Sequence, residues 1–328
     1  MNFKNKLQKL FLFLLIIMPF NVFAYSDKVI VGGNNIGIEV NSKGIIVVGF
    51  YNVEGKNIGS DAGFNLGDKI INVSGIEVNS IKDMIDKINS SIKNDEVRFT
   101  VLRDDIERDI TLKLIKDKNG VYKTGLYVKD QITGIGTLTY IDPETKIFGS
   151  LGHEILESNS NMKIEVKDGK IFKSNINGVI KSTDKTTGEK RATFDESIVY
   201  GTIEKNTFSG IYGKYLKEYE NTKLMDVASV DEITNGSAKI LTVLNGNKIE
   251  EYDINIIKIN NDSKTKNILF EITDNNLKNK TNGIIKGMSG SPIIQNGKII
   301  GAVTHAIVND NNKGYGIFIT TMLEEGER

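Results

Sequence analysis

The chain has no cysteine in its 328 residues, which excludes disulfides, a thiolate nucleophile and cysteine-ligated zinc or iron–sulfur centres. Only two histidines occur, His153 and His305, too few for a histidine-rich metal site. Excess charge of either sign is also missing, since 42 Lys plus Arg balance 42 Asp plus Glu. A nucleic-acid or anionic-membrane partner needs a basic footprint that this balance does not supply. No P-loop, dinucleotide fingerprint, HExxH or EF-hand loop is present. Asn260-Asn261-Asp262 and Asp310-Asn311-Asn312 read as polar turns rather than calcium sites. Neither a metal nor a cofactor is expected.

Long apolar runs are missing too, apart from one at the start. Lys4, Lys6 and Lys9 precede an apolar stretch over 10–20, and Val22-Phe23-Ala24 before Tyr25 approximates a small-residue cleavage site. The stretch is about 11 residues, short of the ~20 that a spanning helix needs. Residues 1–24 are therefore expected to be a signal peptide or a membrane anchor. The remainder is expected to be exported, and either secreted or tethered.

Residues 28–117 pattern as one α+β unit. Ile36 to Val40 and Gly44 to Gly49 are short β-branched runs between Gly, Asn and Ser, and 66–73, 96–102 and 109–115 are further strand candidates. One helix is clear: Asn79 or Ser80 can cap it, and Ile81, Met84, Ile85, Ile88 and Ile92 share a face. Gly63-Phe64-Asn65-Leu66-Gly67-Asp68-Lys69-Ile70-Ile71, the turn at Gly75, the helix and Arg103 together resemble the PDZ family. That resemblance implies a peptide groove between a strand beginning near Gly37 and the helix. Amides near Gly37, Ile38 and Glu39 would take a peptide carboxylate while the peptide adds a strand.

From 118 to 328 the pattern turns to short strands with little helix signal, which indicates an all-β barrel or sandwich. Asp168-Gly169, Asn177-Gly178, Asn245-Gly246 and Asn296-Gly297 are hairpin cues, and a helical turn is hinted near 320–325. The domain junction is expected within 116–122.

The chemistry concentrates in Lys286-Gly287-Met288-Ser289-Gly290-Ser291-Pro292. Acyl transfer needs a serine on a tight turn whose amides converge on the developing oxyanion. Glycines on both sides permit the dihedrals and the close approach this requires. Ser289 is the candidate nucleophile, and the amides of Gly287 and Ser289 are the candidate oxyanion donors. A serine hydroxyl needs a base, and His153 in Leu151-Gly152-His153-Glu154 is the candidate, with His305 as the one other imidazole.

These motifs in this order resemble the SpoIVB peptidase family of sporulating bacteria. The match continues through Gly136-Thr137, Gly301-Ala302-Val303-Thr304-His305 and Gly314-Tyr315-Gly316. The resemblance implies an α+β PDZ domain followed by an all-β, trypsin-like double-barrel serine peptidase. It implies self-processing and cleavage of a membrane-bound sporulation regulator between forespore and mother cell, which triggers late sigma-factor activation. It implies that Asp274 completes the triad, against the alternative that Asp274 caps a helix opening at Asn275. Thr304 is the rival supporting residue. Glu157 stands where the family leads one to expect Asp. A peptide tail, the protein's own or a sister molecule's, would fill the PDZ groove. The competing function is a catalytically silent PDZ scaffold that binds peptide tails.

Overall fold

The computed structural model describes residues 25–218, 224–307 and 310–328; the leader expected at 1–24 lies outside them. Two β-barrels and a PDZ unit make up this span. Six antiparallel strands close the second barrel, in the order Gly236–Val243, Ile249–Ile259, Ile268–Ile272, Asp310–Phe318, Lys298–Ile307 and Pro292–Gln295. Period-2 patterning builds it: Ile249–Ile259 buries Tyr252, Ile254 and Ile256 and sends Glu251 and Asp253 outward. Each such side chain contributes roughly 1.5–3 kcal/mol by leaving water.

The first barrel uses Val166–Ile180, Asn35–Phe50, Leu126–Ile141, Ile147–Ser150 and Gly210–Lys214, paired in that order. Its ring is completed where the end of Glu189–Thr202 meets the chain after Gly210–Lys214, through a Gly201–Tyr215 bridge and the Leu216 amide on Tyr200 O. Ile36, Ile38, Leu138, Phe148, Ile171 and Ile211 fill it. The site lies between the two barrels.

The PDZ unit does not simply precede the barrels. Asn35–Phe50 and Leu126–Ile141 are each 16 residues long and run through both units. Their outer halves, 45–50 and 126–129, pair with each other inside the PDZ unit, and the sheet continues into Lys69–Val73, Glu96–Arg103 and Ile106–Lys113. Residues 28–42, expected within that unit, pair instead with barrel strands. The unit is thus an excursion between two strands of the first barrel. Its helix, Ile81–Ser91, is capped by Ser80, whose Oγ accepts the Asp83 amide at 3.1 Å, and it buries Met84 and Ile88. Asp68 of the signature is fully buried and grips Arg103 twice, Nε to Oδ1 at 2.6 Å and Nη2 to Oδ2 at 2.7 Å.

Asn245-Gly246 and Asn296-Gly297 do turn hairpins between consecutive strands. Asp168-Gly169 and Asn177-Gly178 instead lie inside Val166–Ile180, where the pairing register shifts. There the same residue types serve β-bulges rather than turns. The helix hinted near the end runs over Ile319–Glu327 and packs across both barrels, against Tyr140 and Tyr212 of the first and Ile299, Ala302 and Ile317 of the second.

Candidate active site

The loop 286–291 is held from the first barrel by alternate threonines of Leu126–Ile141. Thr137 donates its hydroxyl to Gly287 O at 2.8 Å and its amide to Ser289 O at 3.0 Å. Thr139 donates its hydroxyl to Gly290 O at 2.8 Å. Ser150 Oγ donates in turn to Thr137 O at 2.6 Å. Gly290 has a φ of +90°, and a Cβ there would lie 2.1 Å from Thr137 O, so only glycine fits. Met288, with no exposed surface, anchors the loop from within.

The amides of Lys286, Met288, Gly290 and Ser291 donate to Gly188, Ile285, Val303 and Met288 carbonyls respectively. Those of Gly287 and Ser289 meet no acceptor among the described residues. A loop fixed on all sides with two unspent donors has what a preorganised oxyanion site requires.

Ser289 Oγ donates to Thr304 O at 3.0 Å. Thr304 therefore reaches Ser289, the candidate nucleophile, through its carbonyl, while its own hydroxyl donates to Tyr315 O at 3.0 Å. His153 follows the strand Ile147–Ser150 through a left-handed pair, Leu151 at φ +70° and Gly152 at φ +71°. Its Nδ1 meets Glu154 O at 2.8 Å. A carbonyl only accepts, so Nδ1 carries the hydrogen and Nε2 is left with its lone pair, the tautomer a base needs.

His153, Ser289, Gly287, His305, Ile135 and Leu156 line one cavity of about 410 Å³. Burial pulls the His153 pKa below its ordinary value, against the opposing Glu154 carbonyl bond and carboxylate. Its neighbour His305 lies 5.1 Å away between ring centroids. The His305 pKa is pushed down to about 4, by burial first and then by His153 and Lys266. Both imidazoles are neutral near pH 7, so the pair does not repel and His153 is ready to accept a proton.

Two expected site assignments are corrected. Asp274 does not reach His153: its Oδ1 accepts the Leu277 amide at 2.8 Å and caps the helix Asn275–Thr281. The polar Asp-Asn-Asn string at a strand end favours a cap, and the cap is what forms. The Glu154 carbonyl takes the tautomer-fixing place that a triad acid would have. Second, Gly37, Ile38 and Glu39 do not open onto a peptide groove. They are paired on both sides, with 133–135 and with 170–172. Gly37 is glycine because the Phe172 ring packs where its Cβ would be.

The helix Ile81–Ser91 instead faces 126–130, and Met84, Ile85, Ile88, Tyr122, Leu126 and Val128 line a cavity of about 210 Å³ between them. Glu157, fully buried, accepts Lys129 Nζ at 3.0 Å and the Asn159 and Ser160 amides at 2.8 Å each. Burial alone would raise its pKa, but these bonds outweigh it and hold the carboxyl low. Glu157 thus orders the loop after His153 and ties it to the PDZ-side strand. The polar turn at 260–262 holds a local bond, Asp262 N–H to Asn260 Oδ1, whereas 310–312, expected as a turn, opens the strand Asp310–Phe318, with Lys313 Nζ on Asp310.

Sequence reasoning did not single out Thr137 and Thr139 as functional. The trace they leave is a Thr-x-Thr alternation in the buried last part of the strand, 136–141. Lys190 left no trace. Its stem runs against Gly287, and its ammonium donates to Thr242 Oγ1 at 2.9 Å and Thr137 Oγ1 at 3.4 Å.

A serine on a clamped turn, an imidazole of the correct tautomer and two free amides, set between β-barrels with a PDZ unit attached, define a serine peptidase. Residues 120–323 match the SpoIVB peptidase S55 family and residues 35–114 match the PDZ domain. The first match spans more than half of the chain, and the chain belongs to the SpoIVB peptidase S55 family. No curated protein matches it. Among solved structures, the PDZ domain of the SdrC-like protein from Listeria monocytogenes is 24% identical, covering 28% of this chain and 93% of that one, with a TM-score of 0.24. The Rv3671c protease from M. tuberculosis in its active form is 13% identical over 60% of this chain and 73% of that one, with a TM-score of 0.34. Its inactive form is 11% identical over 58% and 82%, with a TM-score of 0.28.

Proposed function

We propose that this serine peptidase is exported, cleaves itself, and cuts a membrane-bound regulatory protein between forespore and mother cell, thereby triggering late sigma-factor activation. Family membership supports the setting, and the two unspent amides at Gly287 and Ser289 support the chemistry most directly. Ser289 Oγ leaves Thr304 O, gives its proton to His153 Nε2 and bonds to the substrate carbonyl carbon. The carbonyl oxygen becomes an oxyanion on the Gly287 and Ser289 amides. Collapse breaks the C–N bond, and His153 returns the proton to the leaving amine. Water, deprotonated by His153, then releases the acid and restores Ser289.

The scaffold alternative leaves those donors without a purpose, and we set it aside. The test compares wild type with Ser289→Ala in a sporulating cell. The substitution is expected to abolish both self-cleavage of the chain and sigma-factor-dependent reporter output. Normal reporter output alongside lost self-cleavage would refute the sporulation role and leave the peptidase. Retained self-cleavage would refute Ser289 as nucleophile.

A further inference from the structure

The Gly287 amide can serve an oxyanion only while the peptide plane between Lys286 and Gly287 is held one way up. A trans peptide points its C=O and N–H in opposite directions, so whatever fixes the Lys286 carbonyl also aims the Gly287 N–H. Gly287 itself does not fix the plane. Its φ is +93°, a region that glycine enters and leaves at little cost. The hold comes from outside the loop. The Lys190 amide donates to Lys286 O at 3.0 Å, and the Lys286 amide donates to Gly188 O at 2.8 Å. Lys286 thus pairs in parallel with Glu189, and no other donor meets its carbonyl among the described residues. The carbonyl points at 188–190 and the Gly287 N–H points away from them. Gly287 lines the cavity it shares with Ser289 and His153.

Residues 181–188 are the tip of the hairpin between Val166–Ile180 and Glu189–Thr202, and this tip leaves the first barrel to lie on the second. The Ser182 amide donates to Thr281 O at 2.8 Å, and its carbonyl accepts Asn282 Nδ2 at 2.8 Å. Asn311 Nδ2 donates to Thr183 O at 2.8 Å. Further back, Ile176 and Gly246 exchange amide-to-carbonyl bonds at 3.0 and 2.8 Å. Inside the tip, Ser182 Oγ accepts the Gly188 amide at 2.9 Å and donates to Ile284 O at 3.3 Å. Ser182 and Gly188 are buried, whereas 183–187 are exposed. A Cβ on Gly188 would lie 2.2 Å from Ile180 O and 2.6 Å from the Ser182 nitrogen, so the tip closes only around a glycine.

We propose that this hairpin tip sets the oxyanion site, with Ser182 and Gly188 as positioning residues that act through the Lys286–Gly287 peptide. The inference rests on the peptidase reading and adds what assembles its site: a strap from the first barrel docked on the second. With the tip docked, the amides of Gly287 and Ser289 are both on offer. With the tip lifted, the Lys286–Gly287 plane is free to turn over, which takes the Gly287 N–H away and leaves the Ser289 amide alone. None of 181–190 lines the cavity, so lifting the tip leaves the substrate's own contacts in place. The loss therefore falls on the transition state and not on binding.

The test follows the labelling of Ser289 in the full chain by a fluorophosphonate. As Oγ bonds to phosphorus, fluoride leaves, His153 takes the proton and the phosphoryl oxygen occupies the oxyanion position. The concentration dependence gives kinact and KI, the phosphorus NMR resonance of the adduct reports the bonds to that oxygen, and Tm is measured alongside. Gly188→Ala should lower kinact about a hundredfold, as the loss of one oxyanion donor does, and Ser182→Ala about tenfold. In both, KI should hold and the phosphorus resonance should move from its wild-type position. Ser182→Ala adds no atom and carries the test if Gly188→Ala does not fold. Wild-type kinact in Ser182→Ala, with Tm lowered or not, overturns the positioning role alone, as does a change confined to KI or an unmoved resonance. Absent labelling of the wild type overturns the peptidase reading and this inference with it.

Discussion

Replacing Lys190 with Met should stabilise the protein, and by an amount that shrinks as pH rises. Lys190 is 3% exposed and donates only to two threonine hydroxyls, with no carboxylate partner among the described residues. Burial pushes its pKa down from 10.5 to about 7. Between those values the unfolded chain holds a proton that the folded chain lacks, so stability climbs with pH through the window. The penalty is full below pH 7 and gone above 10.5. The difference, 10.5 minus about 7, at ~1.4 kcal/mol per unit sets a ceiling of about 5 kcal/mol. Losing the bond to Thr242 takes back about 1 kcal/mol. Urea unfolding of wild type and Lys190→Met at pH 6, 7.5 and 9 reads the effect. His153 and His305 both have lowered pKa values and bind no differential proton across pH 7.5–9. The Met variant should lead by about 3–4 kcal/mol at pH 6, with the gap narrowing by ~1.4 kcal/mol per unit above pH 7. An equal gap at pH 6 and pH 9 would refute a charged, unpaired lysine behind the oxyanion loop.

Other outcomes follow from the same contacts. Asp274→Ala should cost about 1 kcal/mol of stability in a denaturant melt through the lost helix cap and leave kcat/KM unchanged; a drop of a hundredfold or more would restore it to the triad. Thr137→Val should lower kcat by about tenfold to a hundredfold with little change in KM, because the loop it steadies acts in the transition state; a change confined to KM would contradict this. Gly290→Ala should yield an inactive and destabilised chain, since the added carbon meets Thr137 O at 2.1 Å; normal activity would mean that the loop is free to move. The acid limb of kcat/KM should inflect below 6.5, the ordinary histidine value, because burial favours neutral His153; an inflection above 7 would oppose that environment.

The candidate nucleophile and base, which line one cavity, were singled out in the sequence because local requirements mark them: glycines around Ser289, and one of only two imidazoles. The helix at 81–91 and the Asp68–Arg103 pair carried equally local signatures, whereas the strands after 118, expected to be short, include three of 14 to 16 residues. Non-local pairing carried no such signature. Nothing in residues 35–50 announces that one half of the strand belongs to a barrel and the other half to the PDZ sheet, so a peptide edge was sought at 37–39, which is paired on both sides. Asp274 matched a position by resemblance, but its own neighbours specify a helix cap. Lys190 was invisible because lysine almost always lies at the surface, and only the packed barrels reveal it beneath Gly287.

The most direct test is the mass of the peptide bearing Ser289 after treatment with a fluorophosphonate. The adduct should form on Ser289 in wild type and in Asp274→Ala, and should fall at least a hundredfold in His153→Ala. An adduct on another residue, or undiminished labelling without the imidazole of His153, would contradict the site described here.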